Sequence, residues 1–289
     1  MNADQVFIDN DSALAQLCEQ LQDCSWLAVD TEFERINTYY PELCLLQVAS
    51  NEITAVIDPL AIENLEPLYD VLYDQSITKV FHAARQDLEI FFHIKGTLPE
   101  PLFDTQIAAS LLGHDQQTSY ANLVRDILGV ELPKTQTRTN WKHRPLNRSQ
   151  LQYAADDVIY LGQVYESLLP NLTESGLLSS LDAEFNALVK PELYQPDPEN
   201  MWQKIREARR LEGNTLTVLQ QLAAWRENTA RAENQPRKWV LQDFTLVEIA
   251  RSLPASQDDL SRIKGMNEQV LKRHGTTLLE IIETVGARQ

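Results

Sequence analysis

Trp26, Leu27, Ala28 and Val29 form an apolar run of the kind that fills the middle of a sheet, and Asp30, Thr31 and Glu32 follow it with no turn residue between. Side chains alternate along a strand with a period of two, so Asp30 and Glu32 share one face and Thr31 takes the other. Two carboxylates held side by side repel, which makes the pair a candidate for binding a cation. Asp87 follows the strand signal TKVFHA and opens a helix whose apolar members are Ala84, Leu88, Phe91 and Phe92. At ~100° per residue it lies roughly 80° from the middle of that face, whereas Glu89 lies about 120° away. In LQYAADDVIYL the apolar stripe runs through Leu151, Ala154, Ala155, Val158, Leu161 and Tyr165, which turns Asp157 toward the protein and Asp156 toward water. Tyr153, four residues before Asp157, falls on the same helix edge.

Singly, each acid has an ordinary explanation. A D-x-E at a strand end is commonly a solvated pair, Asp87 suits a helix N-terminal dipole, and Tyr153 with Asp157 reads as a plain hydrogen-bonded pair. Together they carry more weight, because clustered acids are costly unless a cation neutralises them, and hard oxygen ligands select Mg²⁺ or Mn²⁺. Two such ions about 3.5–4 Å apart form the clamp used for in-line phosphoryl displacement.

The elements that must position these residues are legible in the pattern. A helix over SALAQLCEQLQ precedes strands WLAVDTE, LCLLQVAS and ITAVIDP, which suggests a meander. A helix through LEPLYDVLYD, the strand TKVFHA and helices RQDLEIFFHI, TQIAASLLG and SYANLVRDILG follow. A basic loop then leads into a long helix from about Ser149. This order predicts an α/β mixed sheet flanked by helices. KPELYQPDPEN (190–200), with three prolines, is the candidate linker, and the sequence beyond it is helical throughout.

With 289 residues, 43% of them hydrophobic, the chain can bury a real core in one large domain or two ordinary ones. No apolar run approaches the ~20 residues that span a bilayer, and the start MNADQVFIDND is acidic where a secretory signal would be basic and then apolar. The expectation is a cytoplasmic protein without a membrane partner. Cys18, Cys24 and Cys44 lack a C-x-x-C pair, which argues against a disulfide framework and a structural zinc site. The net charge of −17 is uneven: residues 1–200 carry −20 and residues 201–289 carry +3. Within the acidic part, KTQTRTNWKHRPLNR (134–148) has five basic residues and no acidic one, which predicts a local basic patch.

VDTEF, FHAARQDLEIF and YAADDVIYL resemble the three exonuclease motifs of the DEDD nucleases, in the branch with a tyrosine four residues before the last aspartate. KTQTRTNWKHRPLNRSQLQYAADDVIYL resembles the ribonuclease D family in particular, and the likeness spans residues 20–170. From about residue 210, including LSRIKGMNEQVLKRHG, the chain resembles the helical helicase-and-ribonuclease-D C-terminal (HRDC) domain. Many ribonuclease D chains carry two such helical domains; this sequence shows one.

The resemblance implies a ribonuclease H-like exonuclease domain over 1–194, a linker over 195–207 and an all-α HRDC bundle over 208–289. It implies removal of nucleotides from RNA 3′ ends as 5′-monophosphates, with structured RNA such as tRNA precursors as the substrate. Asp30, Glu32, Asp87 and Asp157 would hold two divalent ions, Mg²⁺ or Mn²⁺, and Tyr153 would orient the attacking water. A phenol with a pKa near ~10 is a poor proton acceptor at neutral pH, so orientation and not proton abstraction is the expected role. Glu32 could also accept a hydrogen bond from the terminal 3′-hydroxyl. Thr31 and Phe33 are expected to touch the terminal nucleotide, and Arg138, Trp141, Lys142 and Arg144 to contact the RNA backbone.

Two rival functions remain at this stage. A DNA exonuclease of the same chemistry is one, since only contacts to the 2′-hydroxyl would tell ribose from deoxyribose. The other is an inactive nucleic-acid adaptor working through the positive C-terminal helices, against which the intact set of acids argues. Asp104 reads as a helix N-cap, His82 as a packed histidine, and KGMNEQ, with one glycine, as no phosphate-binding loop.

Overall fold

The computed structural model describes residues 4–133 and 139–286. The chain divides into two compact units: residues 1–34 with 41–194, and residues 35–40 with 195–289.

The first unit is built on a six-stranded sheet of order β1-β4-β3-β2-β5-β6. Its strands are β1 Asp4–Ile8, β2 Trp26–Glu34, β3 Glu42–Ala49, β4 Ile53–Ile57, β5 Thr78–Phe81 and β6 Leu102–Asp104. β2, β3 and β4 form the expected antiparallel meander, and β1, β5 and β6 join it in parallel pairings. Two strands escaped the sequence reading. β1 lies at a sheet edge with the adjacent Val6 and Phe7 both exposed, so its side chains do not alternate between buried and solvent faces, and β6 has only three residues, too few for a period-2 pattern to register.

Alternation along β2 sorts its side chains between two helical layers. Leu27 and Val29 enter a core with α1 (Asp11–Leu21), α2 (Glu66–Leu72) and α3 (Arg85–Lys95). Trp26 and Ala28 enter the opposite core with α4 (Thr105–Leu111), α5 (Tyr120–Leu128), α6 (Arg148–Glu174) and α7 (Leu178–Leu188). Each fully buried Leu, Val or Phe in these layers stabilises the unit by roughly 1.5–3 kcal/mol before chain entropy is counted. By the same alternation Asp30 and Glu32 belong to the α6 side and Thr31 to the α3 side.

Local chemistry fixes where the key helices begin. Asn147 caps α6, accepting a bond from the Gln150 N–H while the Gln150 side chain accepts from the Asn147 N–H, a capping box. Asp104 ends β6 and caps α4 through the N–H groups of Gln106 and Ile107, as its sequence position suggested. The same carboxylate, 1% exposed, also accepts from Ala83 N–H at 3.2 Å and Ala84 N–H at 2.8 Å. Ala83 is thereby held at φ 57°, a left-handed conformation unusual outside glycine, in the turn that launches α3.

The second unit is helical: α8 Gly213–Ala232, α9 Arg237–Val240, α10 Asp243–Ser252, α11 Gln257–Ser261 and α12 Glu268–Gly286. Its core includes Val218, Leu219, Leu222, Leu246, Ile249, Leu260 and Leu278. The stretch expected as a linker, 195–207, is not a free connection. It forms 3-10 helices at Pro198–Lys204 and Arg206–Arg210, and Trp202, Ile205 and Ala208 pack into the helical core, so Pro198 starts a short helix instead of keeping the chain extended.

Residues 35–40, which join β2 to β3, also belong to this unit. The Tyr39 hydroxyl donates to buried Glu227 and accepts from Arg231 Nε at 3.1 Å and Arg237 Nη2 at 2.9 Å. Asn234 Oδ1 accepts from the Tyr39 and Tyr40 N–H groups.

α6 lies close on β2 because residue 162 is glycine. A Cβ there would sit 2.6 Å from the Trp26 ring. Gly162→Ala gains helix propensity worth ~1 kcal/mol but must displace a packed indole, an overpacking cost of about 1–3 kcal/mol. A net loss of up to about 2 kcal/mol in urea unfolding is expected, largely recovered when Trp26→Phe is added; a stabilised single variant would show that α6 is not seated against this ring.

Candidate active site

β2 leaves β5 behind after the Ala28–Val80 pair but stays paired with β3 to its end, so Asp30 and Glu32 stand at an opening in the sheet. A register shift between Glu32 and Phe33 bends β2 just beyond them. Across this opening α6 presents Asp157, and one carboxylate oxygen from each of Asp30, Glu32 and Asp157 lies within 4.8 Å of the others. Asp87, in the first turn of α3, lines the same cleft of about 330 Å³ from the other side. Its Oδ1 accepts a 2.5 Å hydrogen bond from the Thr31 hydroxyl. The residue between the two acids of β2 thus reaches back to orient the fourth acid.

Burial and mutual repulsion shift these groups strongly. Burial, and then the charge of Asp157, pushes Asp30 far above the usual carboxylate range. Glu32 is pushed up to about 9 by burial and by Asp30, Asp157 and Asp87 in turn. Asp87 and Asp157 are both raised, chiefly by burial. The Tyr153 phenol is hydrogen-bonded to Asp157 and is itself raised by burial and by the surrounding acids. Gln47, the cross-strand partner of Asp30, is fully buried with neither side-chain amide atom bonded to protein. An all-oxygen set of converging, reluctantly ionised carboxylates beside an unspent amide fits a hard divalent cation.

Other residues shape the cleft without a sequence signal. Tyr120 in α5 donates its hydroxyl to the carbonyl of Asp157 and stands 5.4 Å from the His82 ring. His82 lines the cleft with Ala83 and Gln86, but both of its ring nitrogens are within hydrogen-bond distance of protein atoms, Thr105 Oγ1 at 3.0 Å and the Thr118 carbonyl at 3.2 Å. Tyr120 lies in an ordinary amphipathic helix, and only the folded arrangement brings it to the catalytic edge.

The expected RNA contacts divide. Thr31 and Phe33 line the cleft. Lys142 is on the surface, paired with Glu42. Arg138 lies outside the described residues. Trp141 and Arg144 have other partners than the expected backbone phosphates. Trp141 is 4% exposed, packed with Cys44, Leu45, Val56, Ala154 and Ala155, because an indole in this loop gains more from the apolar underside of α6 than from solvent. Arg144 spends all its N–H groups inside the protein, on Asp58 and on the carbonyls of Trp141, His143 and Cys44.

Comparison with known proteins fits this geometry. Residues 5–173 match the family model of the 3′-5′ exonuclease domain, and residues 215–282 match that of the HRDC domain. The chain is 40% identical over 276 residues to ribonuclease D of Pseudomonas paraeruginosa, covering 96% of this chain and 73% of that protein. The chain belongs to the ribonuclease D family. Zymomonas mobilis ribonuclease D is 43% identical over 283 residues, 97% of this chain and 72% of the relative. The crystal structure of Escherichia coli RNase D, described as an exoribonuclease involved in structured RNA processing, superposes with a TM-score of 0.89 at 38% identity, covering 99% of this chain and 76% of that one. Membership of the ribonuclease D family makes this chain a 3′-5′ exoribonuclease whose exonuclease domain works with divalent metal, and RNA its substrate. Among the described residues no helix is long and apolar enough to cross a membrane.

The raised acids link pH to stability. Each binds its proton more tightly in the folded state than in the unfolded chain, so their contribution is fully present below the ordinary carboxylate value of 4.5 and is lost as pH rises toward about 9, the Glu32 value. Without divalent ions the melting temperature should therefore fall across this window, and Asp30→Asn should melt a few degrees higher than the parent at pH 8, at about 2–4 °C per kcal/mol. Mg²⁺ or Mn²⁺ should raise the parent's melting temperature more at pH 8 than at pH 6. Equal metal-induced shifts at both pH values, or an Asp30→Asn variant less stable than the parent, would show that the acids are not under mutual strain.

Proposed function

We propose that Asp30, Glu32, Asp87 and Asp157 hold two divalent ions, Mg²⁺ or Mn²⁺, and that the enzyme trims short single-stranded 3′ ends of structured RNA such as tRNA precursors, releasing 5′-monophosphates. The observation that carries this reading is the convergence of three carboxylates within 4.8 Å from β2 and α6, two distant parts of the chain. Bound divalent ions supply the charge that lets the acids ionise together, acidify a water and steady the leaving 3′-oxygen.

The chain's own groups do the rest. Asp30 and Glu32 offer ligand atoms from one strand face, and Asp157 closes the set from α6. Thr31 fixes the carboxylate of Asp87 on the opposite wall. Tyr153, with its phenol raised well above its ordinary value, keeps its proton and orients the attacking water by hydrogen bonding. Glu32 is placed to accept a bond from the terminal 3′-hydroxyl, and Phe33, half-buried at the cleft, to pack against the last nucleotide.

Incubation with 3′-labelled RNA and DNA oligomers of matched sequence, with and without chelator, tests this. Stepwise release of nucleoside 5′-monophosphates from RNA in Mg²⁺ or Mn²⁺, none in chelator, is expected. Asp30→Asn should lose at least about 10³-fold in kcat while retaining RNA binding. Preferred trimming of DNA would favour the deoxyribose substrate, and an Asp30→Asn variant trimming at the parent rate would remove the assignment of the acids.

A further inference from the structure

Ahead of α6 the chain turns Trp141 and Arg144 inward. The Trp141 ring stands 6.1 Å from the Tyr153 ring, centroid to centroid, at an interplanar angle of 31°. Such a tilted pair lies within the range at which aromatic rings attract and restrict one another. Trp141 is in turn tied down from below. Arg144 Nη1 donates to the Trp141 carbonyl at 2.6 Å and the His143 carbonyl at 3.1 Å. Its Nε and Nη2 form a two-point pair with the Asp58 carboxylate at 2.5 and 2.7 Å, and Nη2 also donates to the Cys44 carbonyl of β3 at 2.8 Å. Asp58, directly after β4, is 3% exposed. Asn140 Oδ1 closes the turn by accepting from the Lys142 and His143 N–H groups.

One guanidinium therefore fastens the loop to two strands of the central sheet, and the loop presses its indole on the half-buried phenol. Tyr153 sits on a helix edge, where its hydrogen bond to Asp157 holds the phenol tip and the Trp141 ring bears on the body of the ring. We propose that Trp141, Arg144 and Asp58 form a brace that positions Tyr153 for hydrolysis, and that they act through the phenol instead of through the RNA backbone. The inference rests on the role given to Tyr153 above. The brace touches neither the acids nor the cleft, so removing it should alter the rate of hydrolysis and leave substrate and metal binding alone.

Kinetics with 3′-labelled RNA at saturating Mg²⁺ test it. Trp141→Ala and Arg144→Lys should each lower kcat by about tenfold or more, the scale set by misplacing one reacting group, with KM within about twofold of the parent. Trp141→Phe should restore most of the rate. In a Tyr153→Phe background, Trp141→Ala should cost nothing further, because both changes remove the same contribution. If Trp141→Ala does not fold, as judged by circular dichroism, Arg144→Lys and Asp58→Asn carry the same comparison. A raised KM at unchanged kcat would assign the loop to RNA contact and overturn the brace. So would an equal further loss in the Tyr153→Phe background. If Tyr153→Phe itself keeps the parent kcat, the role of the tyrosine fails and the brace with it. If that variant is slow while the Trp141 and Arg144 variants are not, the brace alone fails.

Discussion

Repulsion among half-buried carboxylates is the constraint around which the first unit is organised. Left to themselves, Asp30, Glu32, Asp87 and Asp157 would move apart or take up protons, and the covalent framework permits neither separation nor full solvation. Each supporting feature of the fold resists that tendency in a different place. Gly162 keeps α6 seated on β2, the capping box fixes where α6 begins, and Asp104 pins the left-handed turn at Ala83 from which α3 departs. Stability is given up locally to hold an acidic cluster of the kind that suits a divalent cation.

The period of the strand does much of the sorting. Three consecutive residues of β2 serve two layers: Asp30 and Glu32 face α6, while Thr31 faces α3 and holds Asp87 through its hydroxyl. Four acids drawn from three elements thereby line one cleft, and all of them stand on strands or helices. Tyr153 is drawn in by helical spacing from Asp157, and the loop ahead of α6 adds a second hold on it.

Much of this was readable in advance because it depends on local periodicity. The alternation of WLAVDTE placed the acid pair, the apolar stripe of LQYAADDVIYL turned Asp157 inward and left Asp156 half-exposed with Gln152, and the antiparallel pairing of β2, β3 and β4 followed from the meander. What escaped depends on tertiary partners. Basic residues near Trp141 looked like a solvent-facing patch because composition cannot report that Asp58, 86 residues away, accepts the guanidinium of Arg144. Tyr120 and His82 carry no spacing signal and reach the cleft only through the packing of α4 and α5. The prolines after Tyr194 suggested an open connection, yet Trp202 and Ile205 are apolar enough to bury, and that decided the outcome.

The excursion at 35–40 gives the molecule an unusual wiring. Only two residues after Glu32, the backbone leaves the exonuclease unit, lodges Tyr39 among Glu227, Arg231 and Arg237, and returns at Pro41 to begin β3. The chain consequently passes between the units three times, and after a cut between Tyr194 and Gln195 residues 195–289 would be held to the loop at 35–40 by hydrogen bonds instead of a covalent link. An excised first unit ending there would carry Tyr39 and Tyr40 on the hairpin that bears Asp30 and Glu32, with the partners of the Tyr39 hydroxyl and of both N–H groups left behind in the other fragment.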